Sequence, residues 1–576
     1  MKREAGERTL AGMIPKLKRL FIADLTPPPP PFSLGDWQEH PEPDPRLTRP
    51  ARELLEPSPA ETAGPALSAS LQENEAWLKR RFALPVNRGL VLRPVRIGGT
   101  DVEGLVAYLD DQVDWQHLNR TLMIPLIASR IDPAIIADPR SLIERVLTET
   151  QAATHTHWSD LVNALTTGSA LLLVDGVAEG IALEAKGWAK RSVEKPTAEL
   201  AVRGPQEGFT EDIGTSLSQV RRRLRTPDLM VERGQVGRLS RTEVALLYVR
   251  TVANPKLVEE VRRRLRSIDI DYLADSGSLE QLIEDRPLSV YPSVVATERP
   301  DRVAAQLAEG YVSILVANSA YALILPATIP MFMHSPEDAY LRWPFATFIR
   351  LLRTVAFFMA LLVPGLYVAV ANFHQEMIPT ALMLAISGTR ETVPIPVVLE
   401  VIVMEVMFEL IREAGVRIPT IIGPTIGIVG ALILGQAAVQ AGLISPILVI
   451  ITSATALASF AIPNYSLQYA VRVLRFGYLA AGAFLGLFGI TLLFLLITMQ
   501  QSVKNAFGVP FLTPLAPVRN LGDTYKRLPT WAQQERPAGV RPQDRQRQSD
   551  QPRPWDPRGP QFAKEGGESD TPPEQT

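Results

Sequence analysis

Between Arg417 and Arg472 the chain runs 54 residues without an Asp, Glu, Lys or Arg. A helix rises about 1.5 Å per residue and needs about 20 apolar residues to cross a hydrocarbon core. This stretch therefore has room for two crossings, with a break at Gly442-Leu443-Ile444-Ser445-Pro446. Two further uncharged runs flank it, Thr354–Gln375 and Phe476–Val503. Together they predict that the C-terminal third lies in a membrane.

The mean hydropathy of +0.07 averages two unlike parts, since residues 1–345 carry charge at ordinary soluble density and residues 354–503 carry little. At 576 residues the chain exceeds one domain. A formal net charge of −2 argues against a nucleic-acid partner held by a chain-wide positive field. The absence of cysteine excludes disulfides, thiol catalysis and thiolate metal sites. The N-terminus, MKREAGERTLAGMIPKLKRLFIAD, is basic without a sustained apolar core, which is not a secretory signal. It reads as a solvated tail or, alternatively, as a short helix on an anionic membrane. The large hydrophilic half is accordingly expected on the cytoplasmic side.

Residues 1–75 form a basic leader and a proline-rich linker (Pro27–Pro31, then Pro41, Pro43, Pro45, Pro50, Pro57 and Pro59), expected to be largely disordered. From 76 to 335 the pattern is globular. Leu171–Val174, Val244–Val249 and Val312–Val316 have strand length and composition. Asn254-Pro255 opens a helix whose Leu257, Val261, Leu265 and Ile268 share one face. Its Arg262, Arg263, Arg264 and Arg266 read as a solvated face rather than a phosphate site. Strands alternating with helices predict a mixed α/β region of about two subdomains, with a seam at 165–200. Ala320–Met333, interrupted by Pro326 and Pro330, reads as a buried strand and connector. A segment at 504–529 follows the membrane part, and the polar composition of 530–576 predicts a disordered tail.

The expected membrane domain, 346–503, has about four spans (354–374, 418–442, 446–464, 476–499) and an amphipathic or re-entrant element at 376–414. In that element Glu400, Glu405, Glu409 and Glu413 are spaced by 5, 4 and 4 and share a broad stripe. Buried carboxylates are costly in lipid and normally face water, a cavity or a partner. The stripe thus reads either as the lining of an aqueous cation path or as the hydrated face of an interfacial helix. Gly423, Gly427, Gly430 and Gly435 suit close helix contact. Four spans return the C-terminus to the cytoplasmic side but leave Arg472 and Arg475 outside, against the positive-inside rule.

No Walker loop, GxGxxG, HExxH or nucleophile elbow is present. His155-x-His157 lacks an evident third metal ligand, and no cofactor, metal or catalytic residue is expected.

Long stretches carry a resemblance. In the hydrophilic half they are LLLVDG (171–176), VRGPQEGFTEDI (202–213), RRRLRTPDL (221–229), ANPKLVEEVRRRLRSIDID (253–271) and ERPDRVAAQLAEG (298–310). In the apolar half they are EDAYLRWPFATFIRLLR (337–353), NFHQEMIP (372–379), FELIREAGVRIP (408–419), GALILGQAAVQAGLISP (430–446) and FGVPFLTPLAP (507–517). Over about 85–528 the chain resembles the A subunits of GerA-type spore germinant receptors, a family that includes the stage V sporulation protein AF. Gln206, Tyr311 and Asn318-Ser319-Ala320 depart from the family pattern. The resemblance implies a spore inner-membrane protein that works with a transporter-like B subunit and a lipoprotein C subunit, contacts membrane lipid, and forms a homo-oligomer releasing monovalent cations. It also implies that Arg203, Gly204, Pro205, Glu207, Gly208, Phe209, Asn254 and Pro255 serve assembly of the cytoplasmic region. A non-conducting scaffold and a stage V-type accessory channel are the alternatives. A secondary transporter would call for internal repeats, and the sequence displays none.

Overall fold

The structure, a computed structural model, describes residues 64–149, 151–187, 195–196, 199, 201–417, 435–515 and 523–548. The leader, Gly423, Gly427, Gly430 and the last part of the tail lie outside these residues.

Helix α1 (Leu71–Arg81) leads into β1 (Leu90–Arg96) and β2 (Glu103–Leu109), and several short helical turns then connect to β3 (Ala152–His155). Next come α2 (Trp158–Thr166), β4 (Ser169–Val174) and β5 (Gly180–Glu184). The strands form one antiparallel sheet in the order β1-β2-β4-β5-β3. The chain then repeats the plan. Helix α3 (Ile213–Arg223) precedes β6 (Leu229–Val236) and β7 (Thr242–Val249); α4 (Pro255–Arg266) and α5 (Ser276–Ile283) precede β8 (Val295–Thr297); α6 (Pro300–Ala308) precedes β9 (Val312–Val316) and β10 (Ala322–Leu325). The second sheet, also antiparallel, has the order β6-β7-β9-β10-β8. Element for element this is the topology of the first, a duplicated architecture that the sequence pattern did not disclose.

Both sheets are covered on both faces. Leu105, Leu171 and Leu173 meet Leu78, Phe82, Trp158 and Leu161 on one side of the first sheet. Val106, Leu172 and Val174 meet Leu118, Leu122 and Leu126 on the other. Alternate strand residues point to opposite faces, so a strand covered twice is apolar throughout. That is why LLLV, VALLYV and VSILV read as strands. The predicted seam falls differently: β4 and β5 lie inside 165–200 yet belong to the first sheet, and the passage between sheets begins after Glu184. The sheets meet through a buried Arg221–Asp111 pair at 2.7 Å and through Arg81–Asp228 at 2.9 Å, with Asp228 also held at 2.7 Å by Arg250 of its own subdomain. Arg262, Arg263 and Arg264 of α4 are held by Glu232, Glu259, Glu260 and Asp285, so they complete the surface of this subdomain.

Beyond β10 the chain forms α7 (Trp343–Phe373), α8 (Thr380–Arg390), α9 (Val397–Arg417), α10 (Pro446–Phe460) and α11 (Tyr465–Val503). By length and composition alone, α7 and the 39-residue stretch assigned to α11 pass as membrane-crossing segments. The predicted 376–414 element resolves into α8 and the continuous α9. The predicted span 476–499 is corrected: Gly486, at φ +62° and ψ −144°, turns α11 back on itself. A Cβ on Gly477 would touch Leu493 at 3.8 Å and one on Gly482 would meet Ile490 at 3.3 Å. In a straight helix residues 477 and 493 would be about 24 Å apart. Helix α11 is therefore a hairpin of two arms, with its turn packed on Phe373 and His374 at the end of α7.

The second arm re-enters the α/β region. Lys504 donates to Ser289 Oγ at 3.1 Å and to the Tyr291 carbonyl, and Phe507, Val509 and Phe511 are buried in the second subdomain. Burial, reinforced by Glu284 and Asp275, pushes the Glu280 carboxyl up to about 8 from an ordinary 4.5. A raised acid favours the protonated fold, so its contribution to stability is fully present below about pH 4.5 and is lost as pH rises to about 8. Glu280→Gln is expected to flatten that decline in urea unfolding measured across the window.

The tail expected to be disordered from 530 is packed over residues 530–548. Gln543 donates through its backbone to the Val252 carbonyl and through Nε2 to the carbonyls of Arg250 and Ala253, and Arg536 Nε donates to that of Ala308. Both ends of the helical region thus return to the same α/β subdomain.

Candidate functional site

Helix α9 starts after Pro396 and descends along α10 and α11 with its carboxylates turned into the bundle. Its glutamates meet arginines rung by rung. Arg390 Nε lies 3.4 Å from Glu400 Oε1, and the Ser445 backbone N–H donates to Glu400 Oε2 at 3.1 Å. Arg475 Nη1 reaches Glu405 Oε2 at 2.6 Å, and Arg475 Nε donates to the Ala360 carbonyl at 2.8 Å. Arg412 Nη1 sits 3.4 Å from Glu409, which also pairs with Arg472. Arg412 Nη2 continues to Ser459 Oγ at 2.9 Å. Glu400 and Glu405 are each 1% exposed. The nine steps from Glu400 to Glu409 advance about 14 Å, so the ladder runs along much of α9.

The outward face of α9 is apolar: Leu399, Ile402, Val403, Val406 and Leu410 are exposed. Glu413 is exposed at the lower end of the helix. Spacing alone found the stripe, and the structure adds that Glu400, Glu405 and Glu409 are countered by cations. Arg472 and Arg475, anomalous under a simple span count, are two of those cations.

Close helix contact is made by glycines that the sequence did not single out. A Cβ on Gly365 would stand 2.7 Å from the Tyr478 carbonyl oxygen, and one on Gly482 would stand 2.6 Å from that of Gly365. Gly435 has only an ordinary 3.8 Å approach to Val449. The one available signal was small residues recurring inside Thr354–Gln375 and Phe476–Val503.

The remaining motif residues knit the second subdomain to the base of α7. Gly204, at φ +115°, lets the chain pass Tyr340, whose ring a Cβ would meet at 2.5 Å. The Pro205 carbonyl accepts from buried Arg299 at 2.9 Å, Glu207 pairs with Arg223 at 2.7 Å, and the Gly208 carbonyl accepts from Gln219 at 2.9 Å. Phe209 is buried, whereas Arg203 is exposed. Asn254 caps α4, with Pro255 at its first turn, and donates to the Arg541 carbonyl in the tail at 2.9 Å. Buried Asp338 receives Arg353 at 2.8 Å and Arg350 at 3.3 Å, and Arg350 also reaches Asp523 at 3.1 Å. Among the described residues no group of His, Asp and Glu is arranged to hold a metal ion.

A duplicated α/β region tied to a helical bundle with an apolar exterior and a charge-paired interior defines a two-part protein, with helices suited to a membrane. The chain belongs to the Bacillus/Clostridium GerA spore germination protein family, whose model matches residues 76–539. It is 39% identical to spore germination protein KA of Bacillus subtilis (strain 168) over 491 residues, 85% of this chain and 90% of that one. It is 36% identical to spore germination protein GerLA of Bacillus cereus over 461 residues, 79% and 93% of the two chains. A solved structure, the N-terminal domain of the A subunit of the Bacillus megaterium spore germinant receptor GerK3, is 31% identical, covers 46% of this chain and 98% of its own, and superposes with a TM-score of 0.36.

Proposed function

We propose that this chain is the A-type membrane subunit of a nutrient germinant receptor in the spore inner membrane, acting with a transporter-like B subunit and a lipoprotein C subunit. The observation that carries the reading is the family match, which takes in both sheets, the helical bundle and the first part of the tail. The exposed apolar side chains along the helices, among them Phe348, Leu352, Val355, Phe484, Phe488 and Leu495, support a lipid environment. The α/β region faces the cytoplasm, and copies of the chain assemble into a ring through it.

The bundle releases monovalent cations when its partner senses a nutrient. In the described arrangement the glutamates at 400, 405 and 409 are neutralised, which suits a closed state held by the ladder rather than an open path lined with free carboxylates. Separation of the rungs would free those carboxylates to attract cations. The same neutralisation favours a second reading, a scaffold that assembles receptor subunits without conducting.

Deleting the chain from spores is expected to abolish or sharply reduce cation release to at least one nutrient, with rescue by the wild-type gene. Unchanged release across a full panel of nutrients would contradict the role. Normal receptor assembly around a chain that never supports release would favour the scaffold.

A further inference from the structure

A cavity of about 820 Å³ opens between the two arms of α11, beside the loop that carries Leu288 and Val290. Its walls are apolar, with Val473, Leu493 and Ile497 among them, and its end nearest the α/β region is polar, with Tyr469, Arg472 and Gln501. Gln501 is 6% exposed, and its side-chain oxygen has no hydrogen-bond partner among the described residues. A buried acceptor left unpaired is costly, so this atom points to a donor supplied from outside the chain. Arg472 offers further donors beside the one used by Glu409, and its guanidinium lies over the Tyr469 ring at 5.4 Å. The Glu409 carboxylate also lines the cavity but is engaged by Arg412 and Arg472.

We propose that this cavity binds one membrane phospholipid, with an acyl chain between the arms and the headgroup at Arg472, Tyr469 and Gln501. The proposal rests on the membrane reading above. Lateral entry follows from the rim: Leu288, Val290 and Val473 line the cavity and are all exposed, so they continue the apolar outer surface into the opening. The volume matches ligand cavities of about 300–1,000 Å³ and suits one lipid tail with part of its headgroup. A phosphodiester accepts from Arg472, in the manner of basic pockets between membrane helices. The oxygen of Gln501 needs a donor, which selects headgroups carrying a hydroxyl or a primary ammonium. Phosphatidylglycerol and phosphatidylethanolamine provide one, and phosphatidylcholine does not.

The test uses the full chain expressed in membranes, first washed with carbonate, then purified in detergent and examined by native mass spectrometry after incubation with vesicles of each single lipid. Retention of about one phosphatidylglycerol or phosphatidylethanolamine per chain, and several-fold less phosphatidylcholine, is expected. Ile497→Trp, which fills the cavity, and Gln501→Leu, which removes the acceptor at similar side-chain volume, should each lower retention several-fold. No lipid retained by the wild-type chain, or equal retention of all three lipids, would overturn the inference. Release of the chain by carbonate would instead overturn the membrane reading beneath it.

Discussion

Arg475→Leu is expected to destabilise the purified chain by about 3–5 kcal/mol, the usual consequence of leaving a buried charge without its partner. Arg475 and Glu405 have side chains that are each 2% exposed, so neither can turn to water when the other is removed. The loss is compounded at the Ala360 carbonyl, which Arg475 Nε caps from the neighbouring helix. A buried pair can nevertheless be replaced as a whole by apolar residues at little cost. Glu405→Leu combined with Arg475→Leu should therefore recover most of the stability lost by either alone. Thermal unfolding in detergent of the wild type, both single variants and the double variant reads this directly. Additive losses would mean that the pair is not coupled as the structure has it.

Gly482→Leu carries the second large effect. The contact at this point is backbone against side-chain position, 2.6 Å from the Gly365 carbonyl, and Gly365 in turn has the Tyr478 carbonyl at 2.7 Å. A flexible side chain could yield, whereas two helix backbones can do so only by moving apart. Overpacking in a close-packed interior typically costs about 1–3 kcal/mol and more where backbone must shift, so the variant should lie at or above the top of that range. Separation of α7 from α11 would also draw Arg475 away from Ala360. The check is the yield of monodisperse protein together with its unfolding midpoint. Gly435→Leu, at a site with only a 3.8 Å approach, should be far milder.

How much of this was legible in the sequence varied with the physics of each part. Strands buried on both faces leave an unbroken apolar run, so β4, β7 and β9 could be read directly. The duplication could not, because matching topologies need only equivalent burial and not equivalent residues. A hairpin in α11 was hidden because Gly486 turns the chain inside a stretch with no charge to mark a membrane surface. Over 530–548 the tail was misjudged from composition: its polar side chains, Gln543 above all, find partners in backbone carbonyls of the second subdomain. Helical spacing revealed the glutamate stripe, but Arg472 and Arg475 lie 63 and 70 residues from the glutamates they meet. No local period reports a partner at that distance. The positive-inside conflict at those arginines was the one trace they left, and both are charge-paired inside the bundle.

On the proposed reading, the Glu–Arg ladder holds the bundle closed until a nutrient is sensed. Cation release from spores carrying Glu405→Gln, Arg475→Gln or the charge exchange Glu405→Arg with Arg475→Glu, each measured before and after nutrient, tests it most directly. The prediction is release without nutrient in both single variants and restored nutrient dependence in the exchange. Tight single variants with a reduced nutrient response would contradict the lock and return the glutamates to the role of an open, cation-attracting lining.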